Sequence, residues 1–294
     1  MKPPVVSVIT PSFNQAAFLE QTLQSVFTQS YPAIECIVID GGSTDGSVEI
    51  IRKYEDRLAF WVSEKDAGQA DGINKGFAKA TGKYATWLNS DDILYPHAIA
   101  TTVRFLEANP GVDFIYGDVE QGYDGGPKYV SRGRPVSFSD MVRTIDVPIP
   151  QQGCLWRREA VERLGGLDPR WEVVLDREFF LRTAEHCQIH YLPGILGFFR
   201  QHVSAKSVAL RVRWIEELLA LYSEFFARPD LKPEIKALRR EAMGTLGLQC
   251  AVLSIRNRQF DRALHFLLAA MASDPLLPFH PGCRNMMRRF FTRH

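Results

Sequence analysis

The sequence predicts an α/β chain: a mostly parallel sheet flanked by helices, with a helical C-terminal extension. Three observations carry this. From residue 5 to residue 116, short β-branched and aliphatic runs alternate with stretches whose apolar residues recur at helical spacing. The strand-like runs stop on polar or glycine-rich turns, Pro11-Ser-Phe-Asn14, Asp40-Gly-Gly-Ser-Thr-Asp45 and Asn89-Ser-Asp-Asp92. Beyond Lys206 only the helical pattern remains.

The elements follow in order. Residues 5–10 are a short strand, and Phe18, Leu19, Leu23, Val26 and Phe27 mark a helix that ends at Tyr31-Pro32. Residues 34–39 form a second strand, and Val48, Ile50, Ile51 and Tyr54 a second helix, with Ser43 or Thr44 available as its cap. Residues 58–62 read as a third strand. A glycine-bounded loop from Glu64 to Gly76 then enters a helix ending near Gly82. Residues 84–88 are an apolar strand, 96–106 a helix with proline near its start, and 114–116 another strand. Residues 119–135 read as a hairpin or long loop, 154–156 as a short strand, 175–184 as an amphipathic helix, and 189–192 and 195–200 as two short strands. Helical segments are expected near 207–227, 233–256 and 259–272. Residues 1–206 are therefore expected to form one domain and 207–294 a helical region.

Composition narrows the function. A formal net charge of +1 gives no electrostatic argument for nucleic acid. The five cysteines are odd in number and widely spaced, so they read as reduced thiols of a cytosolic protein. The short apolar N-terminal run is no signal peptide, and no run approaches the ~20 apolar residues of a membrane helix. The basic tail 284–294, with arginines among Met286, Met287, Phe290 and Phe291, suits peripheral contact with the inner face of an anionic membrane and equally a packed terminal helix with a solvated face. No phosphate-binding Gly-x-x-x-x-Gly-Lys loop or Gly-x-Gly-x-x-Gly turn occurs, which argues against ATPases and dinucleotide oxidoreductases.

The chemistry gathers where residues 84–88 end. Two adjacent carboxylates, Asp91 and Asp92, repel unless a cation joins them. A Mg²⁺ or Mn²⁺ ion carrying a diphosphate fits, and so does a plain helix start capped by acids. Pro11, Phe13 and Asn14 leave the first strand at its C-terminal edge, where ligands of a parallel sheet bind, although on residue type alone Phe13 reads as a core ring. Arg200, His202 and Lys206 follow a strand with cations and donors suited to a diphosphate, and His202 can complete a metal shell. Gln151 and Gln152 precede the second half of the site and are candidates for acceptor contact.

Val8-Ile-Thr-Pro-Ser-Phe-Asn14, Ile39-Asp-Gly-Gly-Ser-Thr-Asp45, Gln69-Ala-Asp-Gly-Ile-Asn-Lys-Gly76, Leu88-Asn-Ser-Asp-Asp92, Asp176 and Arg200-x-His202 occur in the order of the family 2 glycosyltransferases. The chain resembles these inverting, nucleotide-sugar-dependent enzymes over residues 5–207. The resemblance implies a GT-A-type fold and hexosyl transfer, with a UDP-linked sugar the expected donor. The implied acceptor is a saccharide or lipid-linked saccharide in cell-surface polysaccharide synthesis. It implies that Pro11, Phe13, Asn14, Asp40, Gly41, Asp71, Ser90 and Asp91 bind the nucleotide, with Asp40 accepting from the base. It implies that Asp91, Asp92 and His202 hold a divalent cation, that Asn89, Arg200 and Lys206 meet the diphosphate or donor sugar, and that Asp176 is the base. Two departures stand out: Asn89 occupies the first place of an Asp-x-Asp-Asp pattern, and Leu175 replaces the acid that precedes the base. They keep a non-catalytic glycan-binding or scaffold member in view. A sugar nucleotidyltransferase is the other alternative, although residues 11–17 lack the Gly and Lys or Arg its loop requires.

Overall fold

The computed structural model describes residues 2–143, 149–202, 206 and 210–275. They fall into two compact units: Met1–Val136 with Pro148–Leu210, and Ser137–Val147 with Arg211 onward.

The first unit opens with β1 (Val6–Ser12), α1 (Ala16–Phe27), β2 (Ile34–Asp40), α2 (Ser47–Lys53), β3 (Phe60–Ser63), α3 (Gln69–Lys79) and β4 (Tyr84–Trp87). β1 lies parallel between β2 and β4, and β3 flanks β2. Ser12 pairs with Asp40, and Asp40 with Ser63, so the turns after β1, β2 and β3 share one sheet edge. Both faces of these strands are covered, which is why they are almost wholly apolar. Val6, Val8, Val38 and Tyr84 pack with Leu19, Leu23 and Val26 of α1.

On the other face α3 approaches so closely that a Cβ on Gly76 would stand 2.3 Å from Ile9 Cγ2. Gly76→Ala is therefore expected to cost about 1–3 kcal/mol through overpacking. Gly111→Ala, with no atom within 4 Å of the added carbon, should stay within ~0.5 kcal/mol. Denaturant midpoints of the two variants check this.

The chain continues through β5 (Ile93–Leu94), α4 (Ala98–Ala108), β6 (Phe114–Gly122), β7 (Lys128–Ser131), α5 (Phe138–Arg143), β8 (Cys154–Arg157), α6 (Arg158–Leu164), α7 (Leu175–His186) and β9 (Ile189–Arg200). The sheet order is β3-β2-β1-β4-β8-β6-β9-β5, with β7 on β6. It is parallel from β3 to β4; β8 is antiparallel to both its neighbours, and β6 and β9 run parallel. The expected α/β class holds, with the antiparallel pairs confined to the later strands. The strand expected at 114–116 runs on to Gly122 and folds back on β7, the hairpin reading of 119–135. The two strands expected after residue 188 are one, β9, whose register slips opposite Asp118. Gly194 (φ 148°) absorbs the irregularity. α6 and α5 lie where the sequence reading places no helix.

The second unit joins α5 to the helices Arg211–Ala227, Pro233–Lys236, Arg239–Arg256 and Phe260–Ser273. Phe138 meets Phe225 edge-on at 6.1 Å. A Cβ on Gly247 would stand 2.8 Å from Ala270 Cβ, so the last two helices cross nearly backbone to backbone. Among the described residues no helix is long and apolar enough to cross a membrane. The basic tail 284–294 lies outside the described residues.

Candidate active site

Asp40 closes β2 and is fully buried. Its Oδ2 accepts from Gly42 N (3.1 Å), Ser43 N (2.8 Å) and Ser63 Oγ (2.7 Å), and its Oδ1 from Ser43 Oγ (2.5 Å). Asp40, expected to accept from a base, also folds the loop beneath it, and its Oδ1 carries one hydrogen bond against three on Oδ2. Asn14 takes a left-handed conformation (φ 52°), and its Oδ1 accepts from Thr44 N at 2.9 Å. Asp45 binds Ala16 N at 2.9 Å and Ser47 N at 3.0 Å, so it ties the starts of α1 and α2 together. Phe13 stands 59% exposed at the end of β1, not in the core. Gly41 N donates to Ser12 O at 2.8 Å.

The turn after β4 is held from both sides. On α1, Thr22 Oγ1 donates to Ser90 O (2.9 Å) and Asp92 O (2.8 Å). Asn89 Oδ1 accepts from Gln69 Nε2 at 2.8 Å, while Asn89 Nδ2 reaches Asp92 Oδ2 at 3.3 Å. Asn89 thus uses its carbonyl toward α3 and its amide toward an acid, which a carboxylate could not do. Ser90 is buried.

The two acids separate. Asp92 is fully buried and accepts from Gln152 Nε2 (2.8 Å) and Arg200 N (3.1 Å) besides Asn89. Burial, reinforced by the neighbouring Asp91 charge, pushes its carboxyl well above the ordinary range. Expected as a cation ligand, Asp92 is engaged in joining β4, the Gln151–Gly153 turn and β9. Asp91 is partly exposed, and its Oδ2 lies 2.9 Å from His202 Nε2. The His202 ring packs on Phe18 at 4.5 Å, and the Arg200 guanidinium lies over the same ring at 4.9 Å. Arg200 is buried, with Nη2 on Gln21 Oε1 at 2.6 Å and Nε 3.3 Å from Asp124 Oδ1. Among the described residues its Nη1 has no hydrogen-bond partner.

These side chains fit a divalent cation in part. In octahedral coordination with bonds of ~2.1 Å, adjacent donors stand about 3 Å apart, close to the Asp91–His202 separation. Among the described residues no group of three or more His, Cys, Asp or Glu gathers as a cage. Asp91 and His202 are the two described side chains that stand at that spacing.

Asp176 opens α7. Phe179 and Phe180 of this helix pack on Trp156 at 5.6 and 6.1 Å and on Trp87 at 6.0 and 6.4 Å. This aromatic cluster sets α7 against β4 and β8. Asp176 Oδ1 accepts from Arg177 N at 2.7 Å, and burial raises its carboxyl above the usual value. Its charge, added to burial, pushes the Cys154 thiol up, so Asp176 lies within electrostatic reach of the strand that follows Gln152. Gln151 Nε2 donates to Trp87 O at 2.7 Å. Both glutamines, expected at the acceptor, are buried in holding the acid turn.

At the α3 entrance Asp71 accepts from Ala67 N (3.0 Å) and pairs with Lys75 (3.4 Å). Asn74 exchanges two hydrogen bonds with Leu167, 2.7 and 2.8 Å, clamping α3 to the Gly165–Leu167 loop. Lys206 is exposed, and residues 203–205 and 207–209 beside it lie outside the described residues. Sequence reasoning missed Gln69, Gln21 and Asp124. Nothing local marks them, since their partners lie 20 or more residues away.

A family model described as "Glycosyl transferase family 2" matches residues 7–165, a span that ends before Asp176. An uncharacterized glycosyltransferase of Mycobacterium tuberculosis is 36% identical over 189 residues, covering 63% of this chain and 71% of that one. Crystal structures give the same fold. S. aureus TarS aligns with a TM-score of 0.67 at 16% identity, over 98% of this chain and 54% of that one. Its residues 1–349 are also solved in complex with UDP-GlcNAc. A mannosyltransferase from Pyrobaculum calidifontis, in complex with GDP-Man and Mn²⁺, aligns at 0.64 with 21% identity, over 99% and 85% of the two chains. With the family match spanning more than half its length, the chain belongs to glycosyl transferase family 2 and is a glycosyltransferase.

Proposed function

We propose that this enzyme transfers a sugar from a UDP-linked donor to a hydroxyl of a saccharide or lipid-linked saccharide, with inversion at the anomeric carbon. One observation carries the reading: a buried carboxyl with raised proton affinity, Asp176, is within electrostatic reach of Cys154, two residues from the Gln152 that holds the acid turn, and at that turn Asp91 meets His202 beside Arg200. A raised carboxyl is a stronger base than a free one. The acceptor oxygen attacks the anomeric carbon as its proton passes to Asp176. The bond from that carbon to the diphosphate oxygen breaks, and the electron pair leaves with the diphosphate. One base without a protein nucleophile gives inversion.

A divalent cation, when bound, offsets the charge of the departing diphosphate; Asp91 and His202 would hold it, with Mn²⁺ or Mg²⁺ the fitting ions. Arg200 adds a fixed positive charge whose Nη1 is uncommitted. Phe13 offers its exposed ring to the base, with Pro11, Asn14 and Gly41 at the same strand ends. The bound UDP-GlcNAc of TarS and the GDP-Man and Mn²⁺ of the mannosyltransferase support a nucleotide-sugar donor and a cation.

A panel of nucleotide sugars, assayed for donor hydrolysis with and without saccharide acceptors, tests the reading. UDP-sugars should turn over, and chelation should lower the rate by about 10²-fold or more, the effect of losing several kcal/mol of charge stabilisation. Absence of turnover with every donor would sink it.

A further inference from the structure

We propose that the helix Phe260–Ser273 lies on an anionic lipid bilayer, with its outward apolar face seated at the headgroup boundary. The helix carries its small residues inward and its large ones outward. Ala263 and Ala270 are buried, and Ala270 meets Gly247 at the close crossing with the preceding helix. Phe260 is 65% exposed, Leu264 and Leu268 58% each, and Met271 48%, with Leu267 exposed beside them. Numbered from Phe260, these residues recur at i, i+4, i+7, i+8 and i+11, so they form one stripe along the helix. Single apolar residues on a surface are ordinary, whereas a contiguous row of large ones marks an interaction face.

Charge selects the occupant. From Arg256 to His294 the chain holds seven arginines, two aspartates, no lysine and no glutamate, although the chain as a whole carries only +1. One of those aspartates is withdrawn from the surface: Asp274 is buried, with its Oδ1 3.0 Å from Arg240 Nε. The other, Asp261, is exposed in the first turn, where a helix N-terminus favours an acid, and Arg258 stands exposed just before it. Beyond Asp274 the formally charged side chains are Arg284, Arg288, Arg289 and Arg293.

A second copy of this chain seated on the stripe would bring the same positive charge against these arginines. An anionic bilayer engages both the stripe and the charge. Such a helix binds in the plane of the headgroups, through the apolar area it buries plus the attraction of nearby cations to acidic lipid. Its 14 residues are too few to cross the hydrocarbon layer, which takes ~20, so the helix lies on the surface. The proposal involves no nucleotide and stands apart from the donor reading above.

Co-sedimentation of the full chain with vesicles of phosphatidylcholine, alone or mixed with phosphatidylserine, tests this. Wild type should partition onto the mixed vesicles ~10-fold more strongly than onto neutral ones, and the preference should fade as salt rises. Leu264→Gln combined with Leu268→Gln, both at exposed positions, should leave the melting temperature unchanged and lower partitioning onto mixed vesicles by about 10-fold. Arg288→Gln with Arg289→Gln should remove most of the preference for phosphatidylserine. Partitioning that follows the arginines but is indifferent to the leucines overturns the role of the helix. Equal binding to both vesicle types overturns the anionic occupant. Absence of binding to either overturns the proposal, and sedimentation velocity on wild type and the leucine variant then shows whether a second copy covers the stripe instead.

Discussion

Asp176→Asn is expected to lower sugar transfer by about 10²–10⁴-fold, the range of general-base contributions, while donor affinity stays within a few-fold of wild type. Asn keeps the size of Asp and can still accept from Arg177 N, so α7 and its aromatic packing should stand. What it cannot do is take a proton. The pH profile separates this from a structural fault. Because burial raises the Asp176 carboxyl, wild-type turnover should fall as the pH drops through a value above the ~3.9 of a free aspartate. The residual rate of the variant should lack that limb. Single-turnover rates and titrations with unreactive donor analogue give the two readouts. Full activity in the variant would remove Asp176 from the reaction.

Asp92→Ala is expected to lose several kcal/mol of stability, ~3–5 kcal/mol, because it strips the acceptor from a cluster of buried donors. Three donors converge on this carboxyl from separate elements: Gln152 Nε2, Arg200 N and Asn89 Nδ2. Alanine leaves all three buried without an acceptor, at about 1–3 kcal/mol each before the chain relaxes. Asp92→Asn retains the shape and one acceptor and should cost much less.

The pH dependence has a definite sign. The folded carboxyl binds its proton more tightly than the unfolded one. Its stabilising contribution is complete below the unfolded value and is lost as pH rises through the raised folded value. Wild type should therefore lose stability relative to Asp92→Asn as pH rises across that window. Urea melts from pH 4 upward measure the difference; a gap that does not change with pH would contradict the burial argument.

Local periodicity carried the first half of the fold. Strands covered on both faces are mainly apolar, and their ends turn to polar residues, so β1, β2 and β4 were marked by Asn14, Asp40 and Asn89. The acid turn was legible for the same reason. The division of labour between its acids was not, because it depends on Gln152 and Arg200, brought in by β8 and β9. The part Asp40 plays in folding its loop was hidden in the same way. Two of its donors are neighbours in sequence, but Ser63 arrives only through the register of β2 and β3. The helix Phe138–Arg143 sits in the middle of the chain yet clusters with the C-terminal helices, a grouping that no local pattern announces.

The amide at position 89 has an evolutionary corollary. It is an adaptor between a donor, Gln69, and an acceptor, Asp92. A carboxylate installed there would keep the first contact and turn the second into repulsion between two anions. Asn89→Asp should be tolerated poorly alone and better once position 92 is neutral, so the order of the two substitutions matters. A double-mutant cycle on 89 and 92 would expose that epistasis as a coupling energy of about 0.5–3 kcal/mol.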